Sequence, residues 1–398
     1  MGIVRPVSTR LLRRGTVAVA ALALALTACS TGSGGGGGSG GATATGTANA
    51  VSAAVTDNVA TYKGLPTFTA PGPAIDPTSL RGKRMFLIPL VPNPFNQSIQ
   101  ETMQSIAQKL GMEFTVYPNQ GKPSEWVQGM NTALTAKPDI IVLSTAPDPR
   151  TLQPQLAAAK AAGIPVLVTH FYDDSSAVPP ACEGCAAGVT ALVTAPFNVA
   201  GKAAADWIIA DSKADANVLL IGGADVLPSP ATLDTISKEF AAECPSCKVT
   251  VKNIPVSDWN TKTQSEIQSA LTADPSINYV YPLYDAMVAG AVPAIQTLGR
   301  VGKVKVVSYN GSPYALKLIQ DGDIVAMNVG EDTVGIGYAS MDQAFRILLG
   351  QPTVDERTPI RIWDKTNVNE SGVPPEVGKG YGGALPAGFT KLWGLPAS

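Results

Sequence analysis

RMFLIPL, Arg84–Leu90, is a short apolar run with one charge at its head. It is too short for an ordinary helix and too apolar to be half exposed. It therefore reads as a strand buried on both faces, as in parallel sheets. A helical pattern follows over Gln97–Leu110, then strand Glu113–Tyr117, helix Glu125–Thr135 and strand Asp139–Ser144. Thr151–Ala162 is an amphipathic helix ended by Gly163, and Pro165–Thr169 is the next strand. The alternation resumes with strand Gly188–Thr194, helix Asn198–Asp211, strand Asn217–Gly222 and helix Pro230–Glu243. Lys248–Asn253, Thr263–Ala273, Tyr279–Pro282, Asp285–Leu298 and Val304–Ser308 complete a second series. Strands alternating with helices imply parallel sheets, and two such series imply two doubly wound α/β lobes. Ligands of such sheets sit beyond the carboxyl ends of the strands, so the loops after each strand are where function is sought.

The body expected to fold begins near Leu80, and its length exceeds the ceiling of about 250–300 residues for one core. What precedes it has another character. Arg5, Arg10, Arg13 and Arg14 form a positive head before an Ala/Leu/Val stretch, Thr16–Leu26, of signal-peptide length. Leu26-Thr27-Ala28-Cys29 resembles a bacterial lipoprotein cleavage box, which implies a signal over residues 1–28 and a lipid on Cys29. An ordinary secretory signal with a chance cysteine is the alternative, and Arg13-Arg14 gives little support to a twin-arginine signal. Gly32–Gly41 and the Ala/Thr/Gly/Asn stretch after it bury nothing, and Pro66–Pro77 reads as an extended lead-in. Residues 29–78 are thus expected to be a flexible tether. The expected location is the outer face of the cytoplasmic membrane.

Formal net charge is −2, which gives no pull toward nucleic acid or an acidic membrane. Setting Cys29 aside leaves two C-x-x-C pairs, Cys182 with Cys185 and Cys244 with Cys247. A four-thiolate zinc site would need closer pairs, and redox chemistry a strand feeding a helix at the motif. An oxidising compartment favours two local disulfides, although spacing alone leaves the connectivity open. His170 is the only histidine, so histidine-based metal sites and Ser-His-Asp triads lack material. Gly222-Gly223-Ala224-Asp225 follows a strand but lacks the third glycine of a dinucleotide fingerprint. No cofactor, metal or catalytic residue is assigned. Asp148, Asp173, Asp225, Asp285 and Glu331 all follow strands, and a paired-carboxylate hydrolase stays open. Ionised carboxylates are also strong hydroxyl acceptors, which suits ligand grips.

Val304–Val329 reads VKVVSYNGSPYALKLIQDGDIVAMNV. Tyr309-Asn310-Gly311 stands as an F-D-G would, and Ile319–Ile324 as I-x-x-G-x-I, so the stretch resembles the type I periplasmic sugar-binding proteins of the ribose-binding group. Asn93-Pro94-Phe95-Asn96 resembles the N-P-F-F loop of that family, and Asn198–Gly201 its D-N-x-x-G helix start. Asp258-Trp259 and Tyr284–Val288 resemble its D-F/D-W and N-D-x-M-A. The resemblance spans about Lys83–Gly350. It implies Phe95 and Trp259 as stacking plates for a sugar, and Asn93, Asn310 and Tyr284 or Asp285 as polar contacts. Asn96, Asp148, His170 and Glu331 join them as ligand-binding candidates, while Trp126 reads as packing. Asn310 replaces the Asp of F-D-G, Ser144–Asp148 shifts a carboxylate by one, and the arginine after Val218–Ile221 is missing. These departures point away from ribose toward another sugar, a sugar alcohol or a less polar hydroxylated molecule.

The resemblance further implies two Rossmann-like lobes joined by a three-segment hinge, with crossings near Thr169, Val329 and Arg357. Residues 79–170 with 330–356 would form one lobe and 171–329 with 357–398 the other, the Gly/Pro-rich stretch from Thr366 packing irregularly on the second. The expected role is the solute-binding part of an ABC importer, a monomer that closes over its ligand and docks on a membrane permease. A receptor presenting ligand to a membrane sensor kinase shares the fold, and an extracytoplasmic hydrolase is the third reading.

Overall fold

The computed structural model describes residues 50–145, 147–175, 187–223, 225–322 and 324–396. The signal segment and the lipidation expected at Cys29 lie outside the described residues. So does the local disulfide expected between Cys182 and Cys185: Cys182 lies outside the described residues, and Cys185 lies outside them too. The chain opens with helix α1 (Ala53–Lys63), then alternates β1 (Arg84–Pro89), α2 (Pro94–Lys109), β2 (Glu113–Val116), α3 (Pro123–Ala136), β3 (Ile140–Ser144), α4 (Gln153–Ala161), β4 (Val166–Asp173) and β5 (Ala191–Ala195). These strands form one parallel sheet of order β2-β1-β3-β4-β5. Its two faces are written in the alternation of β1. Met85 and Leu87 join one apolar cluster, and Phe86 and Ile88 join the other. Helices α3 and α4 cover the second of these faces through Trp126, Met130, Leu156 and Ala159.

The chain then continues with α5 (Phe197–Ser212), β6 (Asn217–Gly222), α6 (Ser229–Glu243), β7 (Lys248–Asn253), α7 (Trp259–Ala273), β8 (Tyr279–Pro282), α8 (Val288–Thr297), β9 (Lys305–Asn310), α9 (Pro313–Asp321) and β10 (Val325–Glu331). After α10 (Thr333–Leu348) come β11 (Ile360–Asp364) and α11 (Ala384–Leu392). The second sheet has the order β11-β10-β9-β8-β6-β7, parallel except for β11 against β10. Apart from β11, both sheets wind outward from a first strand flanked by the second and third. The switch points therefore lie between β1 and β3 and between β6 and β8, where open α/β sheets take ligands. Cys244 and Cys247 are paired, Sγ to Sγ 2.04 Å, where α6 gives way to β7.

Three boundaries differ from the sequence reading. The tether expected over 29–78 contains α1, whose Val55, Val59 and Tyr62, with Val51 just ahead of its N-cap, pack on the core of the second sheet. Their spacing is that of one helix face, masked in sequence by the small polar residues between them. The first crossing lies at Pro196, not near Thr169, because β5 is the outer strand of the first sheet. The C-terminal segment is not irregular throughout, nor does it pack only on the second lobe. Phe389, Leu392 and Trp393 of α11 and its end pack with α10 in the core of the first.

Candidate functional site

The loop after β1 is shaped by its own side chains. Asn93 caps α2, its side-chain oxygen accepting the Asn96 N–H at 2.8 Å, with Pro94 preset for the first helical turn. Asn96 is buried and spends its amide on the Val91 carbonyl at 2.7 Å. This leaves Phe95 half-buried at the helix start, its ring 5.2 Å from that of His170.

His170 adopts a left-handed backbone, φ 53°, where the pairing of β4 with β5 shifts between Thr169 and Asp173. A non-glycine residue in this region stores on the order of 1 kcal/mol, a sum that surrounding contacts must offset. Those contacts are a buried pair with Glu331, Nε2 lying 2.9 and 3.0 Å from the two carboxylate oxygens, and an edge-on approach to Phe197 at 5.3 Å. Phe197 in turn meets Tyr309 at 6.1 Å. Phe95, His170, Phe197 and Tyr309 thus form one aromatic row running from the first lobe, past the crossing at Pro196, into the second. The Tyr309 hydroxyl is buried without an aligned hydrogen bond. Burial and the Glu331 charge hold its pKa well above the usual tyrosine value.

In the second lobe Trp259 opens α7 and stacks on Tyr284, ring centroids 5.4 Å apart and planes 28° apart. Its indole N–H donates to the Ile254 carbonyl at 2.8 Å. Tyr284 shares a 3.0 Å hydrogen bond with Ser229, and burial pushes its pKa up to about 12. Phe197, Thr232, Leu283, Tyr284 and Tyr309 enclose a cavity of about 10 Å³ beneath these rings, room for roughly one water.

Asp285 is almost fully buried and points into the protein. Its carboxylate accepts from Ser308 Oγ (2.7 Å), Asn328 Nδ2 (2.6 Å) and the Ser312 N–H (2.8 Å), tying together the ends of β8, β9 and β10. Burial raises its pKa to about 6 against the lowering effect of those donors. Asn310, at φ 127°, accepts weakly from the Asp285 N–H at 3.4 Å. The next residue must be glycine. Gly311 stands at φ 72°, and a Cβ there would lie 2.6 Å from the Tyr381 hydroxyl. Asp148 caps a 3₁₀ turn, Pro149–Leu152, and its carboxylate is gripped by the Arg150 guanidinium at 2.6–3.0 Å.

The structure therefore brings Phe95, His170 and Glu331 into one row and Trp259 and Tyr284 into one stack. Asn93, Asn96 and Asp285 hold the backbone around them, and Asp148 is engaged by Arg150. Sequence reasoning missed Phe197, Tyr309 and Arg150. Tyr309 was visible as the aromatic of Y-N-G, and Arg150 as a cation two residues from Asp148. Phe197, beside the unremarkable helix start at Asn198, carried no signal.

A family model described as a periplasmic binding protein domain matches residues 85–352. The chain belongs to the periplasmic binding protein family. The ribose import binding protein of Salmonella typhimurium is 26% identical over 271 residues, covering 68% of this chain and 86% of that protein. The fructose import binding protein of Bifidobacterium longum is 24% identical over 237 residues, covering 58% and 68%. Solved structures share the fold. An ABC sugar transporter subunit of Rhodobacter sphaeroides superposes with a TM-score of 0.62 at 20% identity, covering 72% of this chain and all of that one. A solute-binding protein of Mycobacterium smegmatis with bound glycerol gives 0.62 at 21% identity, covering 75% and 99%. The two-lobed α/β architecture is thus that of the type I members of this family.

Proposed function

We propose that the chain is the extracytoplasmic solute-binding component of an ABC importer that closes two lobes over a sugar or small polyol. The observation that carries this reading is the pair of aromatic plates at the ligand-binding ends of the sheets, Phe95 on the first lobe and Trp259 stacked on Tyr284 in the second. Sugars present apolar C–H faces and hydroxyl edges. Rings supply the first complement, and the side-chain amides of Asn93 and Asn310 the second. Two relatives carry names for ribose and fructose import, and structural neighbours hold allitol and D-allose. Asp285 and Asp148 serve as braces rather than grips. Each carboxylate suggested for a hydrolase has its own partner: Arg150 for Asp148, Asn198 for Asp173, the Val256 N–H for Asp225, the Ser308–Asn328–Ser312 set for Asp285, and His170 for Glu331. That arrangement supports binding without turnover. A lipid on Cys29 and a membrane permease complete the proposal.

A thermal-shift panel of pentoses, hexoses and polyols tests it, since a ligand that binds only the folded state raises Tm. A shift with one of them, no product after prolonged incubation, and its loss in Phe95→Ala and Trp259→Ala are the expected results. No shift with any member of the panel would overturn the ligand class, and consumption of the ligand would overturn the binding role.

A further inference from the structure

The segment before β1 touches both lobes. On the second lobe, Val55 of α1 is buried in the core, with Val51, Val59 and Tyr62 packed beside it. Polar clamps frame this face: Ser52 Oγ to Glu243 at 2.6 Å, Asn58 Nδ2 to Asp206 at 2.5 Å, Lys63 Nζ to Asp364 at 2.7 Å, and Arg361 Nε to the Lys63 carbonyl at 3.2 Å. On the first lobe, Phe68 packs edge-on against Phe389 at 5.0 Å and fills the space that a side chain at Gly388 would need. The Ile75 N–H donates to Leu392 O at 3.1 Å, and Arg346 Nη2 to Pro73 O at 3.0 Å.

Only Gly64, Leu65, Pro66 and Thr67 lie between the two docks. From Lys63 to Phe68 the chain can reach about 18 Å when fully extended, at about 3.6 Å per residue. Any motion that takes the docks farther apart must break one of them. We propose that residues 51–75 are a strap, a length-limited link between the lobes beyond the crossings of the main chain, which restricts their opening and so strengthens ligand binding. A restricted open state leaves more of the population near the closed form, and apparent affinity rises with that fraction. The proposal rests on the two-lobe binding reading, but its first test needs no ligand.

Insertion of eight Gly/Ser residues between Leu65 and Pro66 leaves both docks intact and removes the length limit. Small-angle scattering of the ligand-free protein should then show a larger radius of gyration, with Tm nearly unchanged. Phe68→Ala, which releases the first-lobe end, should give the same change, and the two together no more than either alone. With a sugar identified by the panel, Kd should weaken about threefold or more. Unchanged ligand-free scattering in the insertion variant would overturn the strap, whatever the ligand proves to be. A change with Phe68→Ala but none with the insertion would also overturn it, showing packing rather than length to matter.

Discussion

Replacing Asp285 by alanine removes three accepted hydrogen bonds at once, from the buried Ser308 and Asn328 side chains and the half-buried Ser312 N–H. Leaving buried donors unsatisfied costs about 1–3 kcal/mol each, so Asp285→Ala should lose at least ~3 kcal/mol in denaturant unfolding. Asp285→Asn keeps an acceptor oxygen and one amide, and should lose less than half as much. The surviving Asn variant should bind ligand nearly as the parent does, whereas Trp259→Ala should weaken binding at least tenfold, on the order of 1.4 kcal/mol. Equal losses of affinity in the two would place Asp285 among the ligand contacts. The sequence offered no means of separating these roles, because a brace and a grip both follow a strand. What decides between them is where Ser308 and Asn328 point, on two strands distant in sequence. His170 and Glu331 show the same limit. Both were readable as cleft candidates, but their pairing joins residues brought together only by the crossing strands.

At the scale of elements, β10 and the segment after β11 fit one another closely. A Cβ on Gly330 would stand 2.2 Å from the Tyr381 hydroxyl and 2.5 Å from the Trp363 indole nitrogen. Gly330→Ala should therefore destabilise by about 1–3 kcal/mol through overpacking, with the site loop displaced. Tyr381→Phe removes the nearer atom and should recover part of that loss, giving a coupling of about 0.5 kcal/mol or more in a double-mutant cycle of unfolding free energies. Additive losses would mean that Tyr381 is not what confines β10. Strands and helices were the most legible part of the chain, because parallel sheets impose unbroken apolar runs and their helices a 3.6-residue period. The edges were less so. Strand β5 looked like the first element of the second lobe because nothing in Ala191–Ala195 marks which sheet it joins. Helix α1 was hidden by its composition, since Ala, Thr, Asp and Asn dilute the apolar stripe of Val55, Val59 and Tyr62.

For the molecule as a whole, the buried carboxylates set how stability varies with pH. Burial raises Asp285, Asp332 and Asp174 to about 6 and Asp206 to about 7, from an ordinary value near 4. Between those values the folded state holds protons that the unfolded chain has released. Stability therefore falls as pH rises through this window, by up to about 1.4 kcal/mol per pH unit for each group. Asp139 and Asp364 act oppositely. Hydrogen bonds and the Lys83 and Lys63 ammonium groups hold them below the usual range, so their contribution is lost only as pH falls below about 4. The two tendencies place the maximum of Tm near pH 4, with a decline toward pH 7.5. Asp332 offers the sharpest test, since it is buried at the second crossing and its partners are the backbone N–H groups of Val334 and Gly335. Asp332→Asn keeps an acceptor for that turn and cannot ionise. It should match the parent near pH 4 and be the more stable protein at pH 7.5, flattening the profile measured by thermal unfolding. A variant curve parallel to that of the parent across this range would show that Asp332 is already ionised in the fold, and that its burial is offset by the two N–H groups alone.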